Sequence, residues 1–259
     1  MQTPETIPQR LAAIEERILQ ACQRAGRRRE EVTLVGVSKL QPLTKLQEAW
    51  EAGLRVFGEN RVQEAEDKVP HMPDGVEWHL IGPLQSNKTK RAAQLFQVVH
   101  SVDRLKIARR LDRDFAAQEE EARPEAKARR LRCFLEVNLG EEESKHGFSP
   151  SGILEAAPQL REFEHLEIVG LMAIPPQPEE GSSDPDAPDP EAQARGWFRR
   201  LAELRDQLLA EPGWEKCPGW LSMGMSADFE IAIEEGATHV RVGTALFGPR
   251  PAASPESGL

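Results

Sequence analysis

Tyrosine is absent from the sequence, so no phenol is available anywhere in the chain as an acid or a base. Cysteine is scarce. Cys22, Cys133 and Cys217 are odd in number, widely spaced and without a Cys-x-x-Cys pair, which argues against a disulfide scaffold and reads as packing residues in a reducing compartment. Basic residues are outnumbered, 33 Lys and Arg against 43 Asp and Glu, for a formal charge of −10. Nucleic acid and anionic membrane both reward a basic surface, so neither is expected as the main partner. A local basic pocket for one phosphate remains compatible with that charge. No stretch approaches the roughly 18 uninterrupted apolar residues of a membrane span, and the first residues lack an apolar signal core. A cytoplasmic protein is the expectation.

What the sequence does have is an apolar run that stops at a lysine, Thr33-Leu-Val-Gly-Val-Ser-Lys39. Short runs of this kind read as buried strands, and strand alternation puts Val35, Val37 and Lys39 on one face. An ammonium on a buried face needs a reason. It either snorkels past the strand end, or desolvation lowers its pKa below the usual value of about 10.4 and frees the amine to attack an aldehyde.

Before this strand, Ile7, Leu11, Ile14, Ile18 and Cys22 draw one helical stripe that ends at Gly26. After it, strand and helix alternate. Eight strand candidates stand at 33–38, 56–60, 77–82, 98–103, 132–139, 166–174, 220–224 and 240–248, with helical stretches near 43–53, 61–69, 87–96, 104–129, 149–163, 191–210 and 226–236. Such alternation means parallel strands with crossover helices, and eight of them in this length predict an α/β fold, a single (β/α)8 TIM barrel over 1–259 with an extra N-terminal helix. An open doubly wound sheet is the alternative. The acidic, Pro-rich stretch 176–190 has almost nothing apolar and reads as a flexible loop within the barrel, followed by a helix with Asp189 as N-cap and Pro190 in its first turn.

A parallel barrel carries its functional groups at the C-terminal ends of its strands. Lys39 ends the first strand. Asn60 ends the second, as either a ligand-facing amide or a helix cap. His79, in the third, reads as a core histidine more readily than as a catalyst. Leu221-Ser-Met-Gly-Met-Ser226 and Arg241-Val-Gly-Thr-Ala245 place glycine and hydroxyl residues at the seventh and eighth strands, with Gly243 and Thr244 read as part of strand eight. Barrels favour phosphate at this position, on exposed backbone N–H groups. A phosphate site facing a strand-end lysine suits a phosphorylated aldehyde, and pyridoxal phosphate fits that description.

The stretches Val37-Ser-Lys39, Phe57-Gly-Glu-Asn60-Arg-Val-Gln-Glu64, Trp78-His-Leu-Ile-Gly-Pro-Leu-Gln-Ser-Asn-Lys88, Gly170-Leu-Met-Ala-Ile-Pro175, Leu221-Ser-Met-Gly-Met-Ser226 and Val240-Arg-Val-Gly-Thr-Ala-Leu-Phe-Gly248 closely resemble the YggS/PROSC family of pyridoxal-phosphate homeostasis proteins. The resemblance implies a barrel like the N-terminal domain of alanine racemase, with Lys39 carrying pyridoxal 5'-phosphate as a covalent aldimine. It places Asn60 beside the cofactor, Ser222, Gly243 and Thr244 on its phosphate with Ser226 nearby, and Arg241 at the ring nitrogen or the phosphate. The segment 176–190 is longer than the family's usual connection.

Two functions share this framework. The first is cofactor carriage and supply without strong turnover, by a monomer whose partners include the cofactor and apo-enzymes that use it. The second is an amino-acid racemase of the same fold. That chemistry requires a second base, usually tyrosine from an additional domain, and both are missing here. A Schiff-base aldolase acting on a phosphosugar would keep the lysine and the phosphate site but lacks the family motifs.

Overall fold

The computed structural model describes residues 6–122, 129–142, 146–176 and 189–249. Helix α1 (Ile7–Arg24) precedes β1 (Thr33–Val37) and α2 (Leu43–Glu51), β2 (Val56–Glu59) and α3 (Val62–Lys68), and β3 (Glu77–Leu80) and α4 (Thr89–Leu95). There follow β4 (Val98–Val102) and α5 (Leu105–Ala122), β5 (Leu131–Val137) and α6 (Pro150–Leu160), and β6 (Leu166–Ala173) and α7 (Pro190–Ala210). The chain continues through β7 (Trp220–Met225), α8 (Phe229–Glu234), β8 (His239–Val242) and α9 (Thr244–Phe247). Every strand pairs in parallel with the next, and β8 pairs with β1, so the sheet is closed. The open doubly wound sheet is thereby excluded.

The helices form because their apolar residues recur on one side. In α1 these are the expected Ile7, Leu11, Ile14, Ile18 and Cys22, all buried. Its start is fixed by a capping box, in which Thr6 N–H donates to Gln9 Oε1 at 2.9 Å and Thr6 Oγ1 accepts from Gln9 N–H. α1 packs on α2, α8 and α9. Because the described chain after β8 makes only a four-residue helix, α1 supplies the helical cover where β8 meets β1. One apolar layer lies between the sheet and its helices. A smaller cluster inside the barrel is built on Val98, Phe134, Val169 and Met172.

Strand eight is shorter than expected. It ends at Val242, and Leu246 and Phe247 donate their backbone N–H groups to the Gly243 carbonyl at 3.0 and 2.9 Å, so 244–247 is a helical turn with Gly243 as its N-cap. Gly243 and Thr244 therefore follow the strand and are not part of it. The run Ala-Leu-Phe reads as strand or helix alike when only apolarity is considered. Strand one likewise stops at Val37, and Ser38-Lys39-Leu40 opens the following turn. Most of the 176–190 stretch lies outside the described residues, although Asp189 and Pro190 do occupy the N-cap and first turn of α7. Cys22 and Cys133 are buried and Cys217 is half-buried, all three free.

Candidate cofactor-binding site

At the C-terminal ends of the strands a cavity of about 280 Å³ is lined by Lys39, Asn60, Ser226, Arg241, Gly243 and Thr244 together with Val37, Gln41, Ile81, Ile174, Met225 and Ala227. Its volume stands at the lower edge of the range of roughly 300–1,000 Å³ for small-molecule sites. Six of the seven residues singled out in the sequence meet here, from β1, β2, β7, β8 and the segments that follow them. Asn60 is not a helix cap, since α3 takes Arg61 in that position.

Ser222 is the exception. It is fully buried and absent from the cavity wall; its hydroxyl accepts from Arg241 Nη1 at 2.6 Å and lies 2.8 Å from His100 Nδ1. Strand alternation turns its side chain into the barrel below the cavity, apart from the other six residues expected around a ligand. Arg241 is itself 4% exposed and also donates to the Ala173 carbonyl at 3.0 Å. Burial lowers its pKa to about 10, with the Asp228 and Glu136 carboxylates acting against that shift, and it remains a cation at neutral pH.

Below Arg241 the polar contacts continue to the barrel floor. His100 Nε2 lies 2.9 Å from His79 Nδ1, and His79 Nε2 lies 3.0 Å from Glu77, which also accepts from Arg132 at 2.8 Å. The N–H from His79, supported by Arg132 and opposed by burial, holds Glu77 at a pKa of about 2. A carboxylate only accepts, so His79 presents Nε2–H to it and accepts at Nδ1. His100 then donates from Nε2 and accepts the Ser222 O–H hydrogen bond at Nδ1. Burial keeps both imidazoles neutral by lowering their pKa values. The chain runs in one direction, from Arg241 through Ser222, His100 and His79 to Glu77, with each of these donors satisfied. His79 is thus the core histidine expected.

The turn that carries Lys39 is held from both sides. Ser38 Oγ donates to Glu59 Oε1 at 2.6 Å, Lys68 donates to the Ser38 carbonyl at 2.8 Å and to Glu59 at 2.7 Å, and Leu40 N–H donates to Glu64 Oε2 at 2.8 Å. Leu40 has φ 58°, a left-handed conformation that costs an L-residue about 1–2 kcal/mol. Sequence reasoning did not single out Glu59, Glu64 or Lys68. The i, i+4 spacing of Glu64 and Lys68 was the available signal.

The donor set fits a phosphorylated aldehyde of modest size: one amine, two amides, a guanidinium and hydroxyls beside a glycine. A Cβ on Gly243 would stand 3.4 Å from Val37 Cβ, both residues being on the cavity wall, so a side chain there would fill part of the cradle. No cluster able to hold a metal occurs among the described residues.

The family described as alanine racemase, N-terminal domain, matches residues 9–251. A curated pyridoxal phosphate homeostasis protein of Pseudomonas aeruginosa is 43% identical over 254 residues, covering 97% of this chain and 99% of that one. The structure of PipY from Synechococcus elongatus with PLP bound is 34% identical, with a TM-score of 0.75 over 94% of this chain and 100% of that one. Alanine racemase from Streptomyces coelicolor shares the fold, with a TM-score of 0.60 at 20% identity over 93% of this chain and 59% of that one. The chain belongs to the pyridoxal phosphate homeostasis proteins, a family built on the alanine racemase N-terminal domain.

Proposed function

We propose that this protein binds pyridoxal 5'-phosphate and takes part in keeping its supply, without sustained turnover of amino acids. The observation that carries the reading is the meeting of Lys39 with Asn60, Arg241, Gly243 and Thr244 around one small cavity. Lys39 is the lysine that attaches the cofactor as a Schiff base. Lys45 is the nearest alternative in sequence, but it is not on the cavity wall. Ser226, Thr244 and the backbone around Gly243 would hold the phosphate, and Asn60 and Arg241 would meet the rest of the cofactor, with Arg241 the cation available to its ring nitrogen.

When bound, the cofactor supplies an electron sink for carbanions at an amino acid. Protonation of its ring nitrogen deepens that sink. A guanidinium opposes such protonation, and Arg241 is held in place by Ser222 and the Ala173 carbonyl. A second base would have to return a proton on the opposite face, and the sequence has no tyrosine for it. One missing acid–base group costs roughly 10²–10⁴-fold in rate.

The test is a visible absorption spectrum of the purified, cofactor-loaded protein before and after borohydride, with mass mapping of the modified residue. Label on Lys39, and loss of the imine band in Lys39→Ala, is the expected result; label on Lys45 or Lys88 overturns the assignment. Solvent-deuterium exchange at the α-carbon and chiral analysis over a panel of amino acids test the second half. Sustained interconversion of enantiomers, lost in Lys39→Ala, would make the protein a racemase. The supply role extends to apo-enzymes as receivers and to a cytoplasmic monomer, read by cofactor transfer to an apo-enzyme, sedimentation and cell fractionation.

A further inference from the structure

We propose that the ion cluster of Glu59, Lys68 and Glu64 is the positioning element of Lys39: it fixes the backbone on both sides of that lysine and so presets the amine toward a bound aldehyde. The inference rests on the reading of Lys39 as the Schiff-base lysine. Glu59 is fully buried at the end of β2, and Lys68 lies on α3, 2.7 Å from Glu59 and 3.6 Å from Glu64. One ammonium thus joins two carboxylates. One carboxylate takes the hydroxyl of Ser38, and the other takes the backbone N–H of Leu40. The residue between them is Lys39.

Leu40 supplies the physical reason for such a device. An L-residue with a branched side chain does not hold φ 58° unaided, and a strained conformation persists only when its surroundings over-determine it. Glu64 provides that constraint through the N–H of the strained residue itself. If the hydrogen bond is lost, the turn can relax toward ordinary backbone and carry the Lys39 Cα with it. Asn60 lies between Glu59 and the first turn of α3, so the same segment sets both the lysine and an amide of the cavity wall. Lys39 and Asn60 are therefore held in mutual register.

Glu64 is the member to replace. Its side chain is 20% exposed, whereas removing Glu59 or Lys68 would leave a buried charge without its partner and threaten the fold. Wild type, Glu64→Ala, Glu64→Gln, Lys39→Ala and the double variant Glu64→Ala with Leu40→Gly are each titrated with pyridoxal 5'-phosphate, which has the aldehyde, and with pyridoxamine 5'-phosphate, which has none. In Glu64→Ala we expect affinity for the aldehyde to fall about tenfold, from lost preorganisation, with affinity for the amine form held within about twofold. Glu64→Gln retains an acceptor for the Leu40 N–H and stays within about threefold of wild type for both ligands. Glycine adopts φ near 58° without strain, so Leu40→Gly recovers at least about threefold of the loss.

Equal weakening for both ligands, no weakening in Glu64→Ala, or no recovery in the double variant would each overturn the clamp. Undiminished aldehyde affinity and borohydride labelling in Lys39→Ala would instead refute the role given to Lys39 itself. The two failures are read from different variants.

Discussion

Arg241 donates to Ser222 at 2.6 Å inside the barrel, directly below the cavity that Arg241 lines. Ser222 is therefore expected to act on a ligand through the guanidinium and not by touching it. Ser222→Ala leaves Nη1 of Arg241 and Nδ1 of His100 without this partner in a buried setting, at a cost of about 1–3 kcal/mol. The expected outcome is a shifted absorption maximum of the bound cofactor, with phosphate affinity little changed when probed by pyridoxamine 5'-phosphate. An affinity loss as large as that of Thr244→Ala, with no spectral shift, would return Ser222 to the phosphate site.

Gly82 has no room for a side chain. A Cβ there would run into the Asn60 carbonyl oxygen and stand 2.8 Å from the Asn60 Cα, so Gly82→Ala must push Asn60 away from the cavity. Overpacking of this kind costs about 1–3 kcal/mol. Cofactor affinity should fall several-fold while circular dichroism still shows a folded barrel, and Gly243→Ala, whose nearest contact is 3.4 Å, should be milder. A larger loss in Gly243→Ala would reverse this ordering.

His79, His100 and His239 are buried, and burial lowers all three pKa values. The unfolded chain takes up protons below pH of about 6.5 while the folded barrel does not, so stability is retained above that value and lost as pH falls through it. Each histidine contributes up to about 1.4 kcal/mol per pH unit in that window. The thermal midpoint of the ligand-free protein should drop between pH 7.5 and 5.5. His239→Gln, which spares the chain from Glu77 to Arg241, should reduce the drop; an unchanged slope would show that His239 is protonated in the folded state.

Glu136 has the opposite sign. Burial and the neighbouring Asp103 raise its pKa to about 7, with Arg241 acting against them, so the folded protein keeps a proton that the unfolded chain loses above its ordinary value of 4.5. Stability from this group falls as pH rises from 4.5 toward 7. Glu136→Gln should therefore raise the thermal midpoint more at pH 8 than at pH 5, and an equal change at both would contradict the shift.

The closed barrel, and the place of Lys39 on the wall of its cavity, were legible in the sequence. Eight apolar strands, each followed by a helical stripe or turn, leave few ways to bury their surfaces, and polar residues at strand ends stood out because apolar runs stopped at them. Lys39, Asn60 and Ser226 were legible as strand-end residues for that reason. Only the tertiary structure decided which way Ser222 faces, that β8 yields to α9 after Val242, and that His79, His100 and His239 form one layer. Those three histidines come from β3, β4 and β8, and closure of the sheet, which no local pattern encodes, brings their rings within 5.0–6.0 Å. The clamp on Lys39 has the same origin. Glu59, Glu64 and Lys68 look like ordinary surface charges until pairing of β1 with β2 sets them against the turn at Ser38 and Leu40.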